Sequence, residues 1–146
     1  MILLYMDTSA LFKRYVEEHD SEAVLARIDE APAVGTAVIT RVEVAAALAR
    51  AVRAQRLDRN EAEDAEQEFL GDWDDFTRIG VTEALVGRAG DLAWRYNLRG
   101  YDAAQLAAAL AWQEMREDMQ DEIVFACFDA ELVQAAAAEG LSTWPE

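Results

Sequence analysis

Four carboxylates in this 146-residue sequence have the chemistry and the setting to bind a metal ion. Asp7 follows the apolar run ILLYM, Glu43 lies in TRVEVAAAL, Asp102 opens the pattern DAAQLAAAL, and Asp129 follows IVFACF. Each acid lies where a predicted helix begins. In a parallel sheet these junctions share one edge, so the four side chains would repel one another unless a cation neutralises them. Oxygen ligands without a histidine or cysteine cluster predict Mg²⁺ or Mn²⁺ rather than zinc.

The same positions also suit a second role, which is capping of the helices. Asp is among the best N-cap residues, Thr40 with Glu43 spells the capping box T-x-x-E, and Asp102 with Gln105 spells a similar D-x-x-Q. Each such cap would stabilise its helix by about 1 kcal/mol. Capping explains any one acid taken alone, and only the convergence of all four favours a metal site.

The hydrophobic pattern that positions these acids predicts an α/β fold. Short apolar runs predict strands at residues 2–6, 33–39, 78–81, 123–128 and 141–144, the last of them less clearly. Helical patterns occupy residues 10–18, 21–30, 42–56, 59–76, 83–96, 103–119 and 130–139. Strands separated by helices imply a mainly parallel sheet of four to five strands, flanked by helices on both faces. We expect residues 1–146 to form one domain with its own core.

The chain is strongly acidic, with 13 Lys and Arg against 29 Asp and Glu and a net charge of −16. A field of that sign repels nucleic acid, so RNA or DNA contact would need metal ions or a local arginine patch. Three explanations stay open: adaptation to a salt-rich cytoplasm, pairing with a basic partner, or solubility.

Cysteine usage and the absence of long apolar stretches predict a soluble cytoplasmic protein. Cys127 is the only cysteine, so no intrachain disulfide is possible, and we expect it to be a small buried hydrophobe rather than a reactive thiol. No stretch approaches the roughly 18 apolar residues of a membrane span. His19, the only histidine, lies in the polar stretch EEHDSE and is predicted to be solvated rather than a ligand.

The four acidic motifs together carry a family resemblance. The segments MDTSALFKRY, TRVEVAAAL, LRGYDAAQLAAAL and FACFDAELVQAAAAEGL, in this order and spacing, resemble those of PIN-domain ribonucleases, above all the VapC-type toxins of toxin–antitoxin pairs. The resemblance implies a PIN-like fold, a metal site made by Asp7, Glu43, Asp102 and Asp129, and Mg²⁺- or Mn²⁺-dependent RNA cleavage that leaves a 5′-phosphate. It also implies a homodimer and a basic antitoxin that covers the active-site groove.

Two positions depart from the family pattern, although neither changes the four acids. Cys127 stands where members commonly carry Thr or Ser, which predicts the loss of a hydroxyl contact near the metal. Gln105 stands where histidine is frequent. Thr8 and Ser9 have two possible roles, either holding Asp7 in position or starting the first helix.

Contact with RNA phosphates would fall to a small number of basic residues. Two sets could form a phosphate-binding rim: the residues near the motifs, which are Lys13, Arg14, Arg41 and Arg99, or those at helical spacing, which are Arg50, Arg53 and Arg56. Arginines on one helix are more often a solvated face. Tyr101 could stack on a base, but we expect it to pack against the sheet.

Residues at named positions also argue against two other functional classes. A phospho-accepting receiver domain expects a lysine late in the chain, whereas Lys13 is the only lysine, and an aspartate-nucleophile phosphatase expects Asp-x-Asp where this chain has Asp7-Thr8-Ser9. A non-catalytic partner-binding module with the same fold, or a PIN-domain nuclease in RNA processing outside a toxin–antitoxin pair, remain alternatives. Metal-dependent RNase activity of the purified chain would exclude the non-catalytic module.

Overall fold

Five strands and seven α-helices follow one another in the computed structural model, which describes residues 1–146. The strands are β1 (Ile2–Met6), β2 (Val34–Ala37), β3 (Thr77–Ile79), β4 (Glu122–Ala126) and β5 (Ser142–Trp144). The helices are α1 (Thr8–Tyr15), α2 (Ser21–Glu30), α3 (Thr40–Arg53), α4 (Arg59–Asp72), α5 (Glu83–Tyr96), α6 (Gly100–Arg116) and α7 (Ala130–Ala138). The predicted α/β class and the less certain fifth strand are therefore confirmed.

The strands form a single sheet in the order β3-β2-β1-β4-β5, and every neighbouring pair is parallel. The central strand β1 aligns Tyr5 with Gly35 on one side and with Phe125 on the other. Because all five strands run in the same direction, their carboxyl ends meet at one edge. The residues that follow β1, β2 and β4 are thereby brought to the same side of the molecule.

Side chains of the central strands alternate between two cores, one on each face of the sheet. Leu3 and Tyr5 of β1 pack with α5, α6 and α7, whereas Leu4 and Met6 pack with α1, α2, α3 and α4. Strand β4 divides its side chains in the same way. The apolar run that precedes Asp7 is thus buried on both faces, as expected for a parallel sheet covered by helices.

Only α2 and α5 have both of their predicted bounds, and the other helices differ from prediction by one to four residues at one end or both. Helices α3 and α6 begin two and three residues earlier than the sequence predicts, at Thr40 and Gly100. Helix α4 ends at Asp72, where a 3₁₀ turn follows, and Phe76 beyond it is extended. The ring of Phe76 packs 6.3 Å from that of Trp73, so aromatic contacts take the place of the predicted continuous helix.

Helix α6 lies close against β2 because Gly35 has no side chain. A β-carbon at this position would lie 2.5 Å from the ring of Trp112, which is itself buried. The close contact seats the helix that carries Asp102 and Gln105. None of the helices has the length and apolar character to cross a membrane.

Candidate active site

Asp7 is a nearly buried carboxylate, 4% exposed, at the junction of β1 and α1. Its Oδ1 accepts hydrogen bonds from the backbone N–H of Ala10 at 3.0 Å and from the hydroxyl of Ser9 at 2.7 Å, so the predicted helix cap is present. Its Oδ2 accepts from the thiol of Cys127 at 3.1 Å. All these donors are uncharged, and burial raises the pKa of Asp7 to about 6 although the hydrogen bonds oppose the shift.

Cys127, predicted to lack a hydroxyl contact near the metal, contacts one of the four acids through its thiol. The residue is buried, as predicted, but its thiol is directed at the carboxylate of Asp7 rather than only at apolar neighbours. Burial and the charge of Asp7 raise the pKa of this thiol well above its usual range, which keeps it protonated. The thiol of Cys127 therefore acts as a hydrogen-bond donor to Asp7.

Glu43 lies in the first turn of α3 and is held by two polar side chains. Its Oε1 accepts from the hydroxyl of Thr8 at 2.8 Å and from the side-chain amide of Gln105 at 2.7 Å. The predicted T-x-x-E capping box is wrong, because Ile39 occupies the N-cap position and makes no side-chain cap. The hydroxyl of Thr40 is instead buried and accepts from Gln105 at 2.9 Å.

Gln105 connects these groups to the core of the protein. Its side chain is almost fully buried, and its carbonyl oxygen accepts from the hydroxyl of Tyr5 at 2.6 Å. The orientation of the amide is thereby fixed, with its N–H groups directed at Thr40 and Glu43. The sequence predicted Gln105 only as part of a D-x-x-Q cap and as a departure from the family pattern, and this role was missed. The available signal was a single polar residue within the apolar stretch AAQLAAAL of α6.

Asp102 and Asp129 complete the acidic edge in different ways. Helix α6 begins at Gly100, so Asp102 lies inside its first turn and the predicted D-x-x-Q cap is wrong. Partial burial raises the pKa of Asp102, and the charges of Asp129 and Glu43 raise it further. Asp129 is exposed and caps α7, accepting from the backbone N–H groups of Glu131 at 3.0 Å and of Leu132 at 3.2 Å.

The four acids line one cleft of about 360 Å³ at the carboxyl edge of the sheet. Their oxygen donors and unneutralised charge suit a hard divalent cation. In this conformation, however, no three Asp, Glu, His or Cys side chains are arranged so that they could hold a metal ion. The donor chemistry therefore fits Mg²⁺ or Mn²⁺, while a complete ligand shell is not preformed. A larger cavity of about 680 Å³ beside β3, α5 and α6 has no acidic lining residue.

Of the basic residues predicted to form a phosphate-binding rim, only Lys13 and Arg50 line the cleft, and the set divides into paired and unpaired side chains. Lys13, which lines the cleft, donates to the backbone carbonyl of His19 at 2.8 Å and pairs with Glu18. Arg14 and Arg56 also pair with carboxylates. The arginines without an ion pair are Arg41, Arg50, Arg53 and Arg99.

Two surface side chains near the site can be compared with their predictions. Tyr101 is 59% exposed, so the prediction that it packs against the sheet is wrong. Its position in the first turn of α6 leaves the ring at the surface beside Asp102. The side chain of His19 is 95% exposed and lies outside the cleft, as expected of a solvated residue.

The amino-acid sequence matches a known protein family and two curated proteins. The PIN domain family profile matches residues 4–138. The chain is 36% identical over 149 residues to Ribonuclease VapC45 and to Ribonuclease VapC49, from two strains of Mycobacterium tuberculosis. Each alignment covers 99% of this chain and 96% of the relative.

Solved structures show the same fold at lower identity. FitAB bound to a DNA fragment superposes with a TM-score of 0.66 at 15% identity, covering 97% of this chain and 94% of that one. A toxin–antitoxin complex from Klebsiella pneumoniae gives a TM-score of 0.51 at 20% identity, covering 84% and 83%.

Proposed function

This chain belongs to the PIN domain family, and from that premise we propose that it is an endoribonuclease of the VapC type, the toxin of a toxin–antitoxin pair. One observation carries the proposal: the acids of four separate motifs line a single cleft at the carboxyl edge of the sheet. Identity to two ribonucleases extends over almost the whole chain, which supports residues 1–146 acting as one nuclease unit.

The proposed cofactor is Mg²⁺ or Mn²⁺, with Asp7 and Asp102 as ligands and Glu43 and Asp129 completing the site directly or through water. A divalent metal bound there supplies an activated water, neutralises the phosphate and stabilises the leaving 3′ oxygen. The protein contributes orientation. Ser9, Ala10 and Cys127 hold the carboxylate of Asp7, while Thr8 and Gln105 hold that of Glu43.

The proposed partner is a basic antitoxin, which complements the net charge of −16. An arginine or lysine of the antitoxin would enter the cleft and make charge-assisted hydrogen bonds with the carboxylates that otherwise bind metal. A solved structure with the same fold is described as a toxin–antitoxin complex, which supports an antitoxin as the partner. A homodimer is proposed from the family resemblance alone.

The decisive experiment separates metal binding from helix capping, because Asn caps helices about as well as Asp but carries no charge. We expect Asp7→Asn and Asp102→Asn to abolish cleavage of a structured RNA in Mn²⁺. The matched control is Asp58→Asn, since Asp58 caps α4 through the backbone N–H of Glu61 at 2.8 Å and is exposed outside the cleft. This control should cleave like the parent.

Thermal melts with and without Mn²⁺ provide the second readout. At a hundredfold excess over its dissociation constant, Mn²⁺ should stabilise the parent and Asp58→Asn by about 2.7 kcal/mol, and the two cleft variants much less. Equal metal shifts in all proteins, with activity retained, would return Asp7 to a purely capping role. A parent that cleaves no RNA in Mg²⁺ or Mn²⁺ would instead favour a non-catalytic partner-binding module.

A further inference from the structure

A smaller cavity of about 190 Å³ opens beside the acidic cleft. It is lined by Thr8, Val42, Glu43, Ala46, Arg50 and Tyr101. Thr8, Glu43 and Arg50 also line the acidic cleft, so the two spaces are adjacent and share a wall. A chain lying across the carboxylates would therefore reach this side cavity with its next group.

The walls that do not belong to the acidic cleft are apolar and exposed. Tyr101 is 59% exposed and Val42 is 57% exposed, although both lie within one residue of a cleft acid. Exposed aromatic and branched side chains beside a polar site favour a flat, partly apolar ligand. In RNA such a ligand is an unstacked base, which proteins commonly bind by stacking it on an aromatic ring.

Arg50, which lines both cavities, supplies a positive charge that can contact an RNA phosphate. It is exposed and has no ion pair, in a chain that carries 29 acidic residues against 13 basic ones. A guanidinium left free beside an acidic cleft can contact a phosphate without first breaking an internal salt bridge. The same charge disfavours a basic antitoxin side chain in this cavity, where Glu43 is the only acidic lining residue.

We infer that this cavity, which we call the side subsite, binds one unpaired nucleobase of the RNA next to the cleaved phosphate. Tyr101 stacks on the base, and Arg50 contacts the neighbouring phosphate. The inference rests on the proposed ribonuclease function and extends it, because it assigns the binding of one base next to the cleaved phosphate to Tyr101 and Arg50. An apolar side chain of a protein partner is the rival occupant.

The test combines protein variants with abasic RNA. A short single-stranded RNA is prepared with an abasic nucleotide at each position flanking the cleaved bond, and KM is measured for the parent, Tyr101→Ala and Tyr101→Phe. At one of these positions, the abasic RNA should raise the KM of the parent protein by roughly tenfold, as the loss of one base–aromatic stack predicts. Tyr101→Ala should raise KM for the intact RNA by a similar factor. Combined, they should raise KM no further, and Tyr101→Phe should retain the parent value.

Matched controls separate the subsite from general surface effects. Trp94→Ala removes an aromatic ring that is 91% exposed on α5, outside both cavities, and should leave KM unchanged. Arg50→Gln should lower the slope of log affinity against log salt by about 0.7, the value for one contact to single-stranded nucleic acid. Arg53→Gln, on the same helix but outside both cavities, should not. The Mn²⁺ concentration for half-maximal rate should be the same in Tyr101→Ala as in the parent.

Each alternative result has a defined meaning. Parent-like KM in Tyr101→Ala, additive effects of the two changes, or a shifted Mn²⁺ requirement overturns the subsite while leaving the ribonuclease proposal intact. Weaker antitoxin binding by Tyr101→Ala with unchanged KM assigns the cavity to the protein partner and also overturns it. A parent that neither binds nor cleaves RNA overturns both proposals.

Discussion

Two nearly buried aspartates at opposite edges of the sheet differ in how their charge is compensated. Asp121 precedes β4 at the amino edge, is 8% exposed, and accepts from the N-terminal ammonium at 2.8 Å and from Arg116 at 2.6 and 2.9 Å. These cations lower the pKa of its carboxyl group. Asp7 follows β1 at the carboxyl edge, is 4% exposed, and accepts only from uncharged donors, so burial raises its pKa to about 6.

Both side chains have little access to solvent, but only Asp121 has cationic partners. At the amino edge the chain neutralises its own carboxylate, and the interaction belongs to the stability of the fold. At the carboxyl edge the chain orients a carboxylate with neutral hydrogen bonds and leaves its charge uncompensated, which favours binding of a cation from outside. The following predictions test this contrast, beginning with the largest expected effect.

Replacing Asp7 should stabilise the metal-free protein at high pH. The folded-state pKa of about 6 lies above the ordinary value of 3.8, so the contribution of Asp7 to stability is complete below pH 3.8 and is lost as the pH rises through 6. A shift of this size corresponds to about 3 kcal/mol. In EDTA, Asp7→Asn should therefore unfold at higher denaturant concentration than the parent at pH 8, and the difference should shrink towards pH 4.

The control for this pH profile is Asp58→Asn, which removes an exposed helix-capping carboxylate. It should not reproduce the gain in stability at pH 8. A parent and an Asp7→Asn variant whose unfolding free energies change in parallel from pH 4 to pH 8 would show that the buried carboxylate carries no unfavourable charge.

Metal and antitoxin should compete for the carboxyl edge, because both supply the cation that it lacks. With Mn²⁺ at a hundredfold excess over its dissociation constant, the affinity of the cognate antitoxin peptide should fall by up to about 100-fold, or about 2.7 kcal/mol. Isothermal titration measures this directly. A peptide in which the inserted arginine is replaced by glutamine should bind weakly and respond little to Mn²⁺, and an unchanged affinity of the native peptide would contradict the insertion.

Replacing Asp121 should change the stability of the fold in the opposite direction from replacing Asp7. Because the pKa of Asp121 is lowered, its contribution to stability is present above the ordinary value of 3.8 and is lost as the pH falls through the folded-state value. Asp121→Asn should therefore destabilise the protein at pH 7, and the difference from the parent should shrink as the pH falls below 3.8. We expect a smaller effect than at Asp7, since the side chain of Met1 is 66% exposed and water screens its ammonium group.

The matched control at this edge is Asp118→Asn, because Asp118 is an exposed carboxylate nearby in the chain and forms no ion pair. Urea unfolding at pH 7 should separate the two variants. Equal stabilities of Asp118→Asn and Asp121→Asn would mean that the two cations do not stabilise the fold.

The smallest expected effect concerns salt. If the net charge of −16 reflects adaptation to a salt-rich cytoplasm, screening of the repulsion should raise the melting temperature between 0.1 M and 2 M KCl. A gain of about 1 kcal/mol corresponds to roughly 2–4 °C for a chain of this size. A flat or falling curve, measured in EDTA, would favour a basic partner as the reason for the acidity.

The elements that the sequence predicts well are those specified by local signals. Helix α5 has the predicted bounds, since Thr82 caps its start and Asn97 ends it in a left-handed conformation. The start of α3 was predicted wrongly because Thr40 is a helical residue whose hydroxyl contacts a distant side chain instead of capping the helix. The hydroxyl oxygen of Thr40 accepts a hydrogen bond from the side-chain amide of Gln105, 65 residues away, which the capping pattern T-x-x-E cannot reveal.

In the candidate site, too, the sequence predicts some features and not others. The placement of four acids at one edge follows from the order of strands and helices, and the cleft lined by all four agrees with that prediction. The contacts that orient them do not follow, because the partners of Asp7 and Glu43 include residues more than sixty positions away. Such pairings arise only when the sheet brings separate segments into register.

The contact between Gly35 and Trp112 makes one position in β2 a remote determinant of activity. Ten residues separate Trp112 from Asp102 along α6, which is about 15 Å of helix. A methyl group at position 35 cannot be accommodated unless the buried ring or the helix moves. Because α6 is a rigid element that carries Asp102 and Gln105 near one end, displacement near the other end tilts both side chains together. Random mutagenesis for loss of toxicity should therefore recover substitutions at Gly35, a residue that no comparison of cleft chemistry would select.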